Sequence, residues 1–303
     1  MSARVVITGA GGFVGSTLAA GFAALGWRVS ALDRAFDDET RTRLSGVDLI
    51  TADLSYDAPA VLPPARLVVH AAAVTTDPAG LGWTPAAHVA ANVRPLLAML
   101  EYAARTRPDA FVFLSSTGVF AASDGTDTLT DVDQARGATP YAVAKRCGEA
   151  LVPAALDGAT AAHVVRLGYL YGPHEAARPT RARVSLVAQW MAAARAGRAI
   201  ETRADDPKRD WTFAPDLAPA LARLVSSRPA GRPLHLGGPH AIADSAMAAL
   251  VVRHFPGASM VPVAAAGPMK PPMRPSDVPA LLDFPWTTPP NGVARLAATT
   301  VVA

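Results

Sequence analysis

Tyr141 and Lys145 stand four residues apart in Tyr141-Ala142-Val143-Ala144-Lys145, a stretch whose composition predicts a helix. At that spacing the two side chains share one helix face. An ammonium beside a phenol favours the phenolate, so a tyrosine whose ordinary pKa is about 10 would exchange protons closer to neutral pH. The chemistry this predicts for Tyr141 is general acid or base catalysis. The same five residues also occur as an ordinary aromatic and an ordinary lysine on a helix surface, so the rest of the chain has to decide between the two.

The elements needed to position such a pair are present. Thr139-Pro140 supplies a cap and first position for the helix that carries it, and Pro153 is expected to end or kink that helix about three turns later. Near the N-terminus, the β-branched run Arg4-Val5-Val6-Ile7-Thr8 stops at Gly9 and is followed at once by a helical segment from Phe13 to Leu25. In the turn between them Gly9, Gly12 and Gly15 fall three apart, which permits a tight bend, close approach of backbone to a phosphate, and close helix packing. The free amides of a helix N-terminus then face the anion. Trp27 to Leu32 predicts a second strand ending in Asp33, near the offset expected for a carboxylate that binds a ribose. Asp33 accepts hydrogen bonds from ribose hydroxyls and repels the extra phosphate of NADP, which points to NAD. Arg34 next door keeps NADP open.

Strand-like runs recur at Val47 to Ile50, Leu67 to His70, Phe111 to Ser115 and His163 to Leu167, separated by alanine-rich helical segments, one of them from Ala86 to Arg105. The alternation predicts an α/β fold of the Rossmann type, a doubly wound parallel sheet. Proline and arginine become more frequent beyond Gly172, and the periodic segments shorten. The expected division is a cofactor-binding domain over 1–168 and a smaller, interleaved C-terminal substrate lobe over 169–303, with 209–238 returning to the first domain.

Composition narrows the class. Half of the 303 residues are apolar, yet no apolar run approaches the roughly 18 residues of a membrane span. The chain enters an apolar run after four residues without the pattern of a secretory signal, so a cytoplasmic location is expected. A net charge of +3 argues against nucleic-acid binding, and the cluster Arg178, Arg181 and Arg183 reads as a solvated loop. The single cysteine, Cys147, allows no internal disulfide, and the seven histidines have no ligand-like spacing, so no metal site is expected.

Taken together, the chain resembles the extended short-chain dehydrogenase/reductase family, which includes the sugar-nucleotide epimerases and dehydratases. The residues that carry the resemblance span nearly the whole chain: Thr8 to Gly15, Asp33, Asp53-Leu54, His70 to Ala73, Asn92, Leu114 to Thr117, Tyr141 to Lys145, Arg166 with Gly172-Pro173, Arg209-Asp210-Trp211, and Arg274 to Asp277. The resemblance implies that Tyr141 transfers the proton, that Lys145 is its charge partner and a ribose ligand, and that Ser116 holds the reacting oxygen. It implies NAD contacts from Gly9, Gly12, Phe13, Val14, Gly15, Asp33, Asp53, Leu54, Ala71, Ala72, Ala73, Asn92, Tyr141 and Lys145. Substrate contacts are implied for Thr75, Ser116, Thr117, Tyr169, Arg209 and Arg274, the two arginines gripping a diphosphate. A homodimer is also implied.

Within the family, 4,6-dehydratases place Asp-Glu after the hydroxyl residue, whereas Thr117-Gly118 follow Ser116 here. Tyr169 stands where the family usually has an asparagine that contacts the diphosphate. The expected activity is therefore oxidation or epimerisation at a secondary alcohol or ketone of a nucleotide-linked sugar, in the manner of a 4-epimerase. The alternative is a dehydrogenase or reductase of a free sugar, sugar acid or other small carbonyl compound. A non-catalytic dinucleotide sensor is the reading from another class, and such proteins commonly lose the tyrosine or lysine that this chain keeps.

Overall fold

The fold is that of a computed structural model, which describes residues 2–56, 62–156 and 158–299. Its elements in order are β1 (Arg4–Thr8), α1 (Phe13–Ala24), β2 (Arg28–Asp33), α2 (Asp38–Arg43), β3 (Asp48–Thr51), β4 (Leu67–His70), α3 (Pro85–Thr106), β5 (Ala110–Ser116), α4 (Pro140–Ala155), β6 (Ala161–Leu167), β7 (Tyr169–Tyr171), α5 (Leu186–Arg195), β8 (Ile200–Arg203), β9 (Lys208–Phe213), α6 (Leu217–Leu224), β10 (Leu234–Leu236), β11 (Ala241–Ala243), α7 (Asp244–Val252), β12 (Met260–Val263) and α8 (Pro289–Thr299).

Seven strands form a parallel sheet in the order β10-β6-β5-β4-β1-β2-β3. Strands buried on both faces must be apolar throughout, and Val5, Val6, Ile7, Leu67, Val68, Val69, Phe111 and Val112 are at most 1% exposed. One face packs on α1 and α6, with Leu18, Phe22, Leu217 and Leu221 in its core. The other packs on α3 and α4, through Leu96, Met99, Tyr102 and Val152. Strand order reverses between β1 and β4, and a doubly wound sheet opens its ligand crevice at the carboxyl ends of such a pair.

A second core surrounds Tyr171, Trp190, Trp211, Phe213, Met247 and Val251. It is built on a three-stranded sheet, β11-β9-β7, and a two-stranded sheet of β8 and β12. The chain crosses between the cores more than once: β9 belongs to the three-stranded sheet, whereas α6 and β10 lie against the central one. No helix among the described residues is long and apolar enough to cross a membrane.

Candidate active site

The cleft at the carboxyl ends of the strands holds about 580 Å³ and is lined from both cores. On the β1 side, Gly12 caps α1 without offering a side chain to its first amides. The turn bends back on itself through Gly12 N donating to Gly9 O at 3.0 Å. Gly11 leaves no room for a side chain, because a Cβ there would lie 2.2 Å from Ala35 O and 3.0 Å from the Asp33 carboxylate. The absence of that Cβ lets Gly11 N donate to Asp33 Oδ2 at 2.8 Å, while Arg34 N donates to Oδ1 at 2.7 Å. Asp33 is thereby fixed at the cleft wall. Free helix-end amides, a wall without side chains and an acid at the end of β2 fit the phosphates and ribose of a dinucleotide.

Asp53 lines the same end, its carboxyl held below the usual range by hydrogen bonds from Ser55. Ala71, Ala72, Ala73 and Thr75 form the opposite wall after β4. Asn92 does not reach the cleft. Its amide donates to Val74 O at 3.2 Å and to His88 O at 3.0 Å, and its Oδ1 accepts from Val74 N at 2.9 Å, so α3 holds that wall in place.

Tyr141 and Lys145 lie in the first two turns of α4, which starts at Pro140 with the Thr139 hydroxyl accepting from Ala142 N at 3.1 Å. Pro153 falls in the last turn, two residues before the helix ends. Ser116 sits at the end of β5, where its Oγ accepts from Gly118 N at 3.0 Å and hydrogen-bonds the Tyr141 phenol. All three side chains line the cleft. Lys145 Nζ donates to Leu114 O at 2.7 Å and lies 4.9 Å from the Phe113 ring centroid.

The electrostatics differ from the expectation that Lys145 lowers the Tyr141 pKa. Burial pushes the phenol upward, opposed by the Ser116 hydrogen bond and the charge of Arg181. Burial also lowers Lys145 to about 8, with the Glu149 carboxylate one turn along α4 opposing it. Burial disfavours both charged forms and outweighs their interactions.

Gly118 leaves room for this geometry: a Cβ there would lie 3.1 Å from Tyr141 Cε1 and 3.3 Å from Ser116 Oγ. Gly118→Ala is expected to displace the ring by a few tenths of an ångström and to lower kcat by about tenfold, since misplacements of this order are costly in a positioned site. Steady-state kinetics at unchanged melting temperature measure this, and an unchanged kcat would show that the pair tolerates the shift.

The remaining residues implied for substrate separate. Tyr169 lines the cleft, but Thr117 is buried behind it. Arg209 faces a second pocket of about 520 Å³ that adjoins the cleft through Val184 and Leu186. Its guanidinium makes a bidentate pair with Asp244 at 2.6 and 2.8 Å and stacks 4.6 Å from the Tyr169 ring centroid. Arg274 is exposed, pairs with Asp277 at 3.3 Å and lines neither pocket.

Conversely, Arg178, Pro179, Thr180 and Arg181 line the cleft, so of the arginine cluster only Arg183 is an exposed loop residue away from it. Thr180 O accepts from Thr75 N at 2.8 Å and from Thr76 N at 3.1 Å, which ties the segment to the wall after β4. No periodicity or motif marks this contact, which joins residues more than 100 positions apart.

A family model described as the NAD dependent epimerase/dehydratase family matches residues 5–237. No curated protein matches the chain by sequence. Among solved structures, the ADP-L-glycero-D-manno-heptose-6-epimerase of Helicobacter pylori is similar over 100% of this chain and 97% of its own, with a TM-score of 0.82 and 19% identity. TunA, an NAD dependent NDP-hexosamine 5,6-dehydratase of tunicamycin biosynthesis, matches 98% of this chain and 97% of its own, with a TM-score of 0.81 and 20% identity. The UDP-glucose 4-epimerase of Thermotoga maritima, solved with UDP-glucose, matches 97% of each chain with a TM-score of 0.79 and 17% identity. At these identities the likeness is one of fold.

Proposed function

Because the chain belongs to the NAD dependent epimerase/dehydratase family, we propose that it oxidises or epimerises a secondary alcohol of a sugar at Tyr141. The observation that carries this is the convergence of Ser116, Tyr141 and Lys145 on the cleft whose other half is the glycine-rich turn and Asp33. In this reading the turn amides hold the cofactor phosphates, Asp33 the adenosine ribose, and Lys145 the nicotinamide ribose. NAD, when bound, supplies the acceptor for the hydride of the carbinol carbon. Ser116 holds the carbinol oxygen by hydrogen bonding, and Tyr141 takes up its proton during oxidation and returns it during reduction. Lys145, fixed by Leu114 O, places a positive charge beside the phenol.

The substrate is proposed to be a nucleotide-linked sugar, and the support is the second pocket, which adjoins the cleft at Val184 and Leu186 and has room for a handle beyond the reacting ring. A free sugar or sugar acid is the second reading. It is favoured by the commitment of Arg209 to Asp244 and by the remoteness of Arg274, which leave the expected diphosphate grip unformed.

The test is a panel of nucleotide sugars, free sugars and sugar acids assayed with NAD. A dehydrogenase accumulates NADH in proportion to substrate consumed, and an epimerase forms a stereoisomer while NADH stays constant. Folded, NAD-binding protein that turns over nothing in the panel would point to a dinucleotide sensor.

A further inference from the structure

The segment 174–185 brings an arginine to the cleft that none of the steps above uses. Arg178 and Arg181 exchange backbone hydrogen bonds at 2.9 Å in each direction, so Pro179 and Thr180 form the tip of a tight turn. The tip is fastened by Thr75 and Thr76, whose amides donate to Thr180 O, and by Thr76 Oγ1 donating to Pro179 O at 2.7 Å. On one flank, Arg178 donates to Asp37 Oδ2 at 2.5 Å, which uses its charge away from the substrate side.

Arg181, on the other flank, lies with its guanidinium carbon 5.1 Å from the Phe13 ring centroid. One edge of the guanidinium pairs with Glu175. That carboxylate also accepts from Ser185 N at 2.7 Å and from Ser185 Oγ at 2.5 Å. The other edge is unpaired: Nη1 is shielded from solvent and has no hydrogen-bond partner among the described residues. A shielded guanidinium nitrogen with two unused N–H groups beside a ligand cleft is an incomplete anion site.

We infer that Arg181 selects a substrate with a carboxylate close to the alcohol held by Ser116 and Tyr141, a sugar acid, either free or nucleotide-linked. The inference rests on the reading of Tyr141 as the proton-transfer residue. Arg181 lines the same cleft as Ser116 and Tyr141, and its charge opposes the burial that raises the Tyr141 phenol. The cofactor phosphates already have the amide donors of α1, which leaves this guanidinium for a second anion. Lys145 is a second cation at this end of the cleft, Glu149 is paired with Arg166, and Glu175 is shared by Arg181 and Ser185.

The experiment compares binding of glucuronate, galacturonate and UDP-glucuronate with binding of glucose, galactose and UDP-glucose to the protein–NADH complex by calorimetry. It uses the wild type, Arg181→Gln, Arg181→Lys and Tyr141→Phe. At least one acid is expected to bind tenfold or more tightly than its neutral counterpart, both in the wild type and in Tyr141→Phe. Arg181→Gln should abolish that preference and Arg181→Lys should keep part of it, while affinity for NADH changes by less than about threefold. Absence of any acid preference in the wild type, or its survival in Arg181→Gln, overturns the inference. So does an equal loss of NADH affinity in Arg181→Gln, which would assign the arginine to the cofactor phosphates. Selective acid binding without Tyr141-dependent turnover would leave this inference standing and reject the proposed function, and turnover without acid preference would do the reverse. Preference for UDP-glucuronate alone identifies the nucleotide-linked source.

Discussion

Tyr141→Phe is expected to lower turnover by about 10²- to 10⁴-fold, the usual range for loss of a positioned acid–base group. The phenol is half-buried in the cleft wall, its ring packs against Gly118, and its hydroxyl meets Ser116. Phenylalanine keeps the ring and removes only the hydroxyl proposed to exchange the proton. The fold and the glycine-rich wall do not depend on that oxygen, so melting temperature and NAD affinity should stay close to those of the wild type. Single-turnover absorbance at the nicotinamide band separates the possibilities. A variant that binds NAD and substrate yet forms NADH at the wild-type rate would remove Tyr141 from the chemistry.

The second large effect is expected at Glu149, a largely buried residue that does not itself line the cleft but holds Ser115, which does. Its Oε1 accepts from Ser115 Oγ at 2.6 Å and from Arg166 Nε at 2.8 Å, and its Oε2 accepts from Arg166 Nη2 at 2.7 Å. Arg166 stacks 4.8 Å from the Phe120 ring centroid, and the side chains of the pair are 6% and 9% exposed. Removing the acid leaves a buried guanidinium without its counter-ion, and Glu149→Ala is expected to cost about 3–5 kcal/mol of stability. Thermal or denaturant unfolding measures this.

Glu149→Gln separates charge from shape. Burial lowers Lys145 to about 8, and the Glu149 anion holds it up against that burial. Losing the anion must lower it further. In the wild type the cationic form of Lys145 is lost as pH rises through about 8, so kcat/KM should fall on the alkaline side of that value. In Glu149→Gln the same limb should move to lower pH, and in Glu149→Asp it should return toward the wild-type position. A stability loss with an unmoved limb would make the residue purely structural.

Much of this site was legible in order along the chain. A β-branched run, a glycine turn and a helix form one local unit, and the i, i+4 relation of Tyr141 and Lys145 follows from helix geometry. Asp33 needed only the length of the intervening unit. Distant partners were not legible. Arg209 and Arg274 carry the same residue type that a diphosphate grip requires, but Asp244 occupies one and solvent surrounds the other. Arg178 and Arg181 lack any periodic signal, and it is the amides of Thr75 and Thr76, reached across the cleft, that turn a polar segment into a wall.

The sequence by itself determined the secondary-structure alternation, the parallel sheet, the glycine-rich turn and the residue types of the proposed catalytic group, because each depends on neighbours within a few turns or on one strand–helix unit. The tertiary structure decided which charges face the cleft and how readily they ionise. Burial is a property of the packed fold. It raises the Tyr141 phenol and lowers the Lys145 ammonium to about 8, where proximity alone would have favoured both charged forms.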